Sequence, residues 1–418
     1  MIPSSAQLEE HIALTRRYFL QCGSAGVAAL AALPAFGAGS DLDDAALKKL
    51  VDKISYLTPH ADFGTVERGN PLPYKLPKKK RLEVGLERET WKLEVFPDPK
   101  SNSIVDNPLT LKNGKALDFA GLMKLAKKHA TRYLKVITCN NVASPLGMGL
   151  WEGVPLKHII WMAQPHSNVR RVFFWGYHND KPKQRFQGSL PIGEVLEEQP
   201  GTNPVMLAYK LNGEYLSGKR GGPVRMIVPE MYGYKNIKWL QKVVLTNNHQ
   251  ANDTYARGNN DIDSWMKTFA RFIHTPDIVK KGQAIPITGL AQVGVSGMKK
   301  VQVWVHPQGK DWPEDDKYFT KAKWQDATIL KPPKTWGGGL KDGKMPKGVA
   351  DFDDAGRPKQ WPIRYSLAHW AILLKDVPPG KYHIRCRTID ANGVAQPLPR
   401  PFKKSGRNAI QRLPFKVV

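Results

Sequence analysis

Cys139 stands where a β-branched run, Lys135-Val-Ile-Thr, gives out, just ahead of Asn140-Asn141. A thiolate there would be a nucleophile or a ligand for a soft metal. A lone cysteine is as readily a small buried hydrophobe, so residue type alone leaves both readings open. The chain holds 3 cysteines, too few for a disulfide framework. Cys386 falls within a strand-like run and reads as a core residue. Cys22 precedes an apolar run near the N-terminus. The 11 histidines show no metal-ligand spacing. Gly-rich dinucleotide fingerprints, Walker A loops, CxxCH haem sites, HExxH and GxSxG are all absent from the sequence. One basic residue is unusually placed: Arg225 lies inside a Val/Ile/Pro run, where a merely solvated charge is not expected.

The context of Cys139 narrows its chemistry. After it come, in order, Trp151-Glu-Gly-Val-Pro-Leu, Gly188-Ser-Leu-Pro-Ile and Leu207-Ala-Tyr-Lys-Leu-Asn-Gly-Glu-Tyr-Leu. Gly221-Gly-Pro-Val-Arg-Met-Ile-Val-Pro and Gly233-Tyr-Lys-Asn-Ile-Lys-Trp-Leu complete the series. This order resembles the sulfite oxidase family of molybdopterin enzymes. There a strand-end Cys is followed by W-x-G-V-P-L, S-I-P-L, N-G-x-x-L, G-x-P-x-R and V-K-W-L segments. The resemblance runs from about Arg68 to the C-terminus and includes Ile287-Thr-Gly-Leu-Ala and Gly309-Lys-Asp-Trp.

The resemblance implies a molybdenum-molybdopterin cofactor with Cys139 as its protein thiolate. Arg225 and Lys238 match cofactor-anchoring positions, with the backbone amides of Asn236 and Ile237 beside them. Arginine would offer a planar fork and lysine a point charge to the pterin phosphate. Val66-Glu-Arg-Gly-Asn-Pro-Leu-Pro resembles an R-N-H-L-P segment. It makes Arg68 the arginine that meets an anionic substrate beside the metal, and Asn70 a cofactor contact where His is usual. His178 or Asp180 falls near a cofactor-contacting Asp. Three departures stand out. Phe186 occupies the place of an active-site Tyr, which removes a hydroxyl. Arg220 replaces a pterin-facing His. Cys139 is followed by Asn-Asn-Val and not Gly-Asn-Arg.

The elements that must position these residues are mixed. Trp91–Phe96, Tyr133–Thr138, Val172–Trp175, Val205–Leu211, Val224–Val228 and Val243–Thr246 read as strands, and Leu42–Ile54, Leu117–His129 and Val154–Met162 as helices. Beyond about residue 275, strand-like runs at 285–291, 301–305, 365–374 and 382–389 are separated by Gly and Pro turns. The expected fold class is α+β: a sulfite-oxidase-type molybdopterin-binding domain over 41–275, then an immunoglobulin-like β-sandwich over 276–418. The resemblance makes the second unit a dimerisation domain. Residues 313–360, rich in Gly, Pro and Lys, read as a surface insertion.

The N-terminus carries Arg16-Arg17-Tyr18-Phe19-Leu20 before an Ala/Gly-rich run. This predicts a Tat signal over 1–40, hence folded export to the periplasm with no permanent membrane span. Residues 1–40 hold Glu9, Glu10, Arg16 and Arg17, so removing them leaves the net charge of +26 unchanged. That charge, from 63 Lys and Arg against 37 Asp and Glu, first suggests nucleic acid. Its scatter in pairs and quartets, without an aromatic-lined platform, argues against that partner. The expected activity is oxidation of sulfite or a related small sulfur oxyanion by oxygen-atom transfer. Electrons would pass to a separate cytochrome, since the chain has no haem motif. The alternative on the same fold is a reductase of a sulfoxide or another oxyanion. The remote alternative is a basic binding protein without catalysis.

Overall fold

The computed structural model describes residues 38–39, 42, 44–178, 186–199, 201–397 and 405–418. Nearly all of the expected export signal, together with Asp180, lies outside them. Among the described residues no helix is long and apolar enough to cross a membrane.

Two five-stranded sheets frame the first part of the chain. One runs Arg225–Ile227, Met206–Leu211, Gly147–Pro155, Thr131–Ile137, all antiparallel, with Glu214–Tyr215 paired to Met206–Leu211. The other runs Leu117–Asp118, Lys92–Pro97, Leu240–Thr246, Arg171–Gly176, Gln187–Pro191, with one parallel pair between Lys92–Pro97 and Leu240–Thr246. Leu93, Val95, Leu134, Val136, Leu150, Val154, Phe174 and Val243 come from both sheets and share one core. The helix Phe119–His129 adds Leu122 to it. Asp118 caps this helix by accepting the Gly121 N–H at 2.7 Å, and Lys127, Lys128 and His129 sit at its C-terminal end. Such a cap contributes about 1 kcal/mol, and the cations suit the helix dipole.

The strand Gly147–Pro155 escapes the sequence patterns. All nine of its residues are buried, so apolar and polar positions do not alternate. Three of them are glycines, and a Cβ on Gly153 would lie 2.5 Å from Leu207 O. The helix expected from Val154 begins only at Leu156.

The second part is β-rich, as expected. A single sheet runs Phe269–His274, Ile285–Gln292, Leu367–Leu374, Gln325–Ile329, Lys300–Pro307, Gly380–Ile389, Gln411–Val417, Ile278–Val279. It curls around Val301, Val303, Trp370, Ile372, Ile384 and Phe415. Cys386 is fully buried in this cluster, and burial pushes its thiol well above the usual range. Phe269–His274 lies ahead of the expected boundary at 275 yet pairs with Ile285–Gln292. Residues 313–360 are not a surface insertion. Gln325–Ile329 is an inner strand of the sheet, and Trp336, Met345, Val349 and Phe352 join the core of the first part. Their apolar side chains are spaced without a period among polar neighbours, which hides them.

Candidate active site

The strand Thr131–Ile137 delivers Cys139 to the floor of a cleft. Two residues beyond the strand, the thiol is 5% exposed, and it donates to Asn141 Oδ1 at 2.6 Å. Thr138 fixes this strand end. Its hydroxyl donates to Gln292 Oε1 at 2.5 Å, and its carbonyl accepts the Gly233 N–H at 2.7 Å. The cysteine is therefore latched both to the β-rich part and to the loop that carries Asn236, Ile237 and Lys238.

The cleft together with the solvent at its mouth occupies about 680 Å³. Of the residues singled out in the sequence, Arg68, Cys139, His178, Arg220, Arg225, Asn236, Ile237 and Lys238 all line it, as does Phe186. Asn70 does not: it is exposed. Gly69, at φ +93°, packs so closely under His178 that a Cβ would lie 2.5 Å from His178 O. The left-handed turn there sends the next residue away from the cleft.

Four cations converge, and none is ion-paired to a carboxylate among the described residues. Arg225 is buried beneath the floor. Its guanidinium donates to Arg220 O at 2.9 Å and Asn236 O at 2.8 Å, and it faces the Trp151 ring at 5.1 Å. Its pKa is lowered to about 9 by burial and then by the charge of Arg220. Lys238 Nζ donates to Thr65 Oγ1 and to Val66 O. Burial first, then Arg225 and Arg220, lower its pKa to about 7. Arg220 donates to Gly64 O at 3.0 Å. Arg68 lies over the Phe186 ring at 4.5 Å. His178 is held neutral, its pKa lowered to about 4 chiefly by burial and further by Arg68 and Lys238.

Such a cluster is costly to bury without a counter-charge. The Nε atoms of Arg220 and Arg225 and Nδ1 of His178 are buried with no hydrogen-bond partner among the described residues. These polar groups, a thiol and unneutralised positive charge suit a group that is anionic, rich in acceptors and bound through soft-metal chemistry. Glycines bring the walls close. A Cβ on Gly176 would lie 2.0 Å from Lys238 O, and one on Gly221 2.7 Å from Lys238 Cβ.

Phe63, Thr65, Val66, Tyr234 and Trp239 also line the cleft and went unrecognised in the sequence. Tyr234 and Trp239 fall inside the quoted Gly233–Leu240 segment, where a motif marked the loop but not these side chains. Phe63 carries no such signal.

Residues 83–254 match the family model described as oxidoreductase molybdopterin binding domain, which makes the chain a molybdopterin-binding oxidoreductase. A nitrate reductase [NADPH] of Beauveria bassiana is 35% identical over 105 residues, 25% of this chain and 11% of that protein. A mitochondrial sulfite oxidase of Drosophila melanogaster is 33% identical over 105 residues, 25% of this chain and 18% of its own. The mitochondrial sulfite oxidase of Macaca fascicularis is 24% identical over 194 residues, 45% of this chain and 33% of its own. The chain thus spans a third or less of the length of these relatives. The sulfane dehydrogenase SoxCD of Paracoccus pantotrophus shares the fold, with a TM-score of 0.53 at 17% identity over 79% of this chain and 77% of that one. Residues 83–254 are thus a molybdopterin-binding oxidoreductase domain, similar in sequence to sulfite oxidases and nitrate reductases, and molybdenum-molybdopterin is the cofactor that such a domain binds.

Proposed function

We propose that the chain is an exported, periplasmic enzyme that oxidises sulfite or a related sulfur oxyanion and passes the electrons to a separate cytochrome. The convergence of Arg68 with Cys139 in a cleft of unneutralised cations carries this reading. When bound, the cofactor supplies two-electron oxygen-atom transfer. The chain's own residues do the rest. Cys139 offers the thiolate ligand. Arg225, Lys238 and Arg220, with the amides around Asn236 and Ile237, would hold the anionic pterin and its phosphate. Arg68, over the Phe186 ring, would bind the substrate anion through charge-assisted hydrogen bonds. Phe63, Phe186 and Trp239 exclude water, which strengthens those bonds. His178, neutral at working pH, adds a hydrogen-bonding partner without a further charge.

A second reading, reduction of a sulfoxide or another oxyanion, has one observation in its favour: Phe186 puts a ring without a hydroxyl beside Arg68. Purified holoenzyme should turn over sulfite with cytochrome c and leave a sulfoxide untouched in the presence of reduced dye. Turnover of the sulfoxide alone would replace the first reading with the second. The electron partner is expected to be acidic and steered by the +26 charge, so turnover with it should fall as ionic strength rises. Pairing of two chains through the β-rich part belongs to the same reading and is open to sedimentation analysis.

A further inference from the structure

The strand that delivers Cys139 is an edge strand. Thr131–Ile137 pairs with Gly147–Pro155 on one side, and no strand among the described residues pairs with its other side. An open edge leaves a row of backbone groups in need of partners. The chain between the strands Gln325–Ile329 and Leu367–Leu374 supplies them. Arg132 O accepts the Ala350 N–H at 2.8 Å, and the Val136 N–H donates to Tyr365 O at 2.8 Å. The Tyr365 N–H in turn donates at 2.7 Å to the carbonyl of Val293, the residue after the strand Ile285–Gln292. The β-rich part thus covers the free edge of the strand that ends at the cysteine.

Cys139 itself stands between two side-chain fastenings. Ahead of it, the Thr138 hydroxyl donates to Gln292 Oε1 at 2.5 Å. Gln292 is fully buried, and its amide donates to Lys267 O at 2.8 Å. Behind it, Arg271 Nε donates to Ala143 O at 2.8 Å, while Nη1 of the same guanidinium reaches Ala409 O at 3.1 Å. Both side chains come from strands of the β-rich sheet that pair directly, Phe269–His274 with Ile285–Gln292. We propose that Gln292 and Arg271 are positioning residues for Cys139, so that the β-rich part sets where the thiolate meets the metal. This inference rests on the reading of Cys139 as the thiolate ligand and is independent of the substrate.

The need for two fastenings follows from the local chain. Residues 138–146 form no helix or strand. Two backbone bonds brace them from within, Val142 N–H to Cys139 O at 3.2 Å and Leu146 N–H to Ile137 O at 2.8 Å. A misplacement of about 1 Å at a reacting centre can cost on the order of 100-fold in rate. The residue types suit the task. A glutamine amide with its oxygen and its nitrogen both engaged has one orientation, and it adds no charge beside a thiolate. The arginine fork spans two carbonyls at once and so ties the far end of the loop to the C-terminal segment.

The test is the Mo(V) electron paramagnetic resonance spectrum of partly reduced holoenzyme, because its g values follow the direction of the metal–thiolate bond. Thr138→Val keeps the side-chain shape and removes the hydroxyl. Gln292→Met removes the amide at the other end of the same bond, and Arg271→Met frees Ala143. Val303→Ala opens the core of the β-rich part and leaves both fastenings in place, so it controls for lost stability alone. The three fastening variants should shift or broaden the signal, or lose molybdenum where the displacement is larger. Val303→Ala should melt lower and keep the wild-type spectrum. Wild-type spectra and metal content in all three, whatever their thermal midpoints, would overturn the positioning role and leave the thiolate reading intact. An equal spectral change in Val303→Ala would also overturn it, because the effect would then track stability. If Cys139→Ser gives the wild-type spectrum, the thiolate reading fails and the inference falls with it.

Discussion

Replacing Asp253 should be among the most damaging single changes to this protein. Its carboxylate, wholly buried, accepts from Lys235 Nζ at 2.8 Å, the N–H and hydroxyl of Ser189 at 3.2 and 3.3 Å, and the N–H groups of Tyr255 and Ala256 at 3.0 Å each. These bonds tie together the strand Gln187–Pro191, the loop before Asn236 and the loop carrying Tyr255. Asp253→Ala leaves the Lys235 ammonium buried with Ser189 O, at 2.6 Å, as its remaining acceptor. Breaking a buried pair by removing one partner costs about 3–5 kcal/mol. For a cooperative unit of 150–250 residues this is roughly 6–20 °C in thermal midpoint. Circular dichroism melts of the holoenzyme read it directly. The double variant Asp253→Ala/Lys235→Met should recover at least half of the loss, because both charges then leave the interior together. A single variant that melts within about 2 °C of wild type would refute the reasoning, given that each kcal/mol moves the midpoint by about 2–4 °C. So would a double variant no better than the single one.

Two further outcomes follow from the structure. Burial first, then the charges of Asp263 and Glu230, push the Glu194 carboxyl up to about 7 from an ordinary 4.5. Between those values the folded protein holds a proton that the unfolded chain has released, so this group's contribution to stability falls as pH rises from 4.5 to 7. Glu194→Gln should melt like wild type at pH 4.5 and above it at pH 7.5; parallel curves at both values would contradict the assignment. Gly176→Ala forces a Cβ to 2.0 Å from Lys238 O and 2.5 Å from Trp239 O, so the purified protein should carry much less pterin and molybdenum. Gly193→Ala, where a Cβ meets nothing within 4 Å, should retain both.

What the sequence revealed of the site followed its local character. Cys139, Arg225 and Lys238 were legible because each sits in a short contiguous segment whose backbone the fold uses as a unit. Arg68 was legible through its neighbours, but Asn70, two residues on, was misplaced. The left-handed turn at Gly69 decides which way the chain leaves, and residue types do not display that direction. The contact of the Tyr255 hydroxyl with Asn140 was invisible because it depends on where a separate loop lands, 115 residues further along the chain. The same distinction holds for the fold. Helix Phe119–His129 has one buried stripe and a cap, so its period survives in the sequence. Gly147–Pro155 is covered on both faces and has no period to show. Gln325–Ile329 lies inside a stretch whose Gly, Pro and Lys content suggested a surface loop, yet it is paired on both sides by Lys300–Pro307 and Leu367–Leu374. Composition averages over such a segment and conceals the strand.

The central claim is that this cleft binds molybdenum through Cys139. Elemental analysis of wild type and Cys139→Ser, each purified from cells supplied with molybdate and paired with a sulfite assay, tests it most directly. The account predicts about one molybdenum per wild-type chain, as a single thiolate-ligated metal site requires, and loss of both metal and sulfite turnover in the variant. Full metal content and unchanged turnover in Cys139→Ser would contradict it.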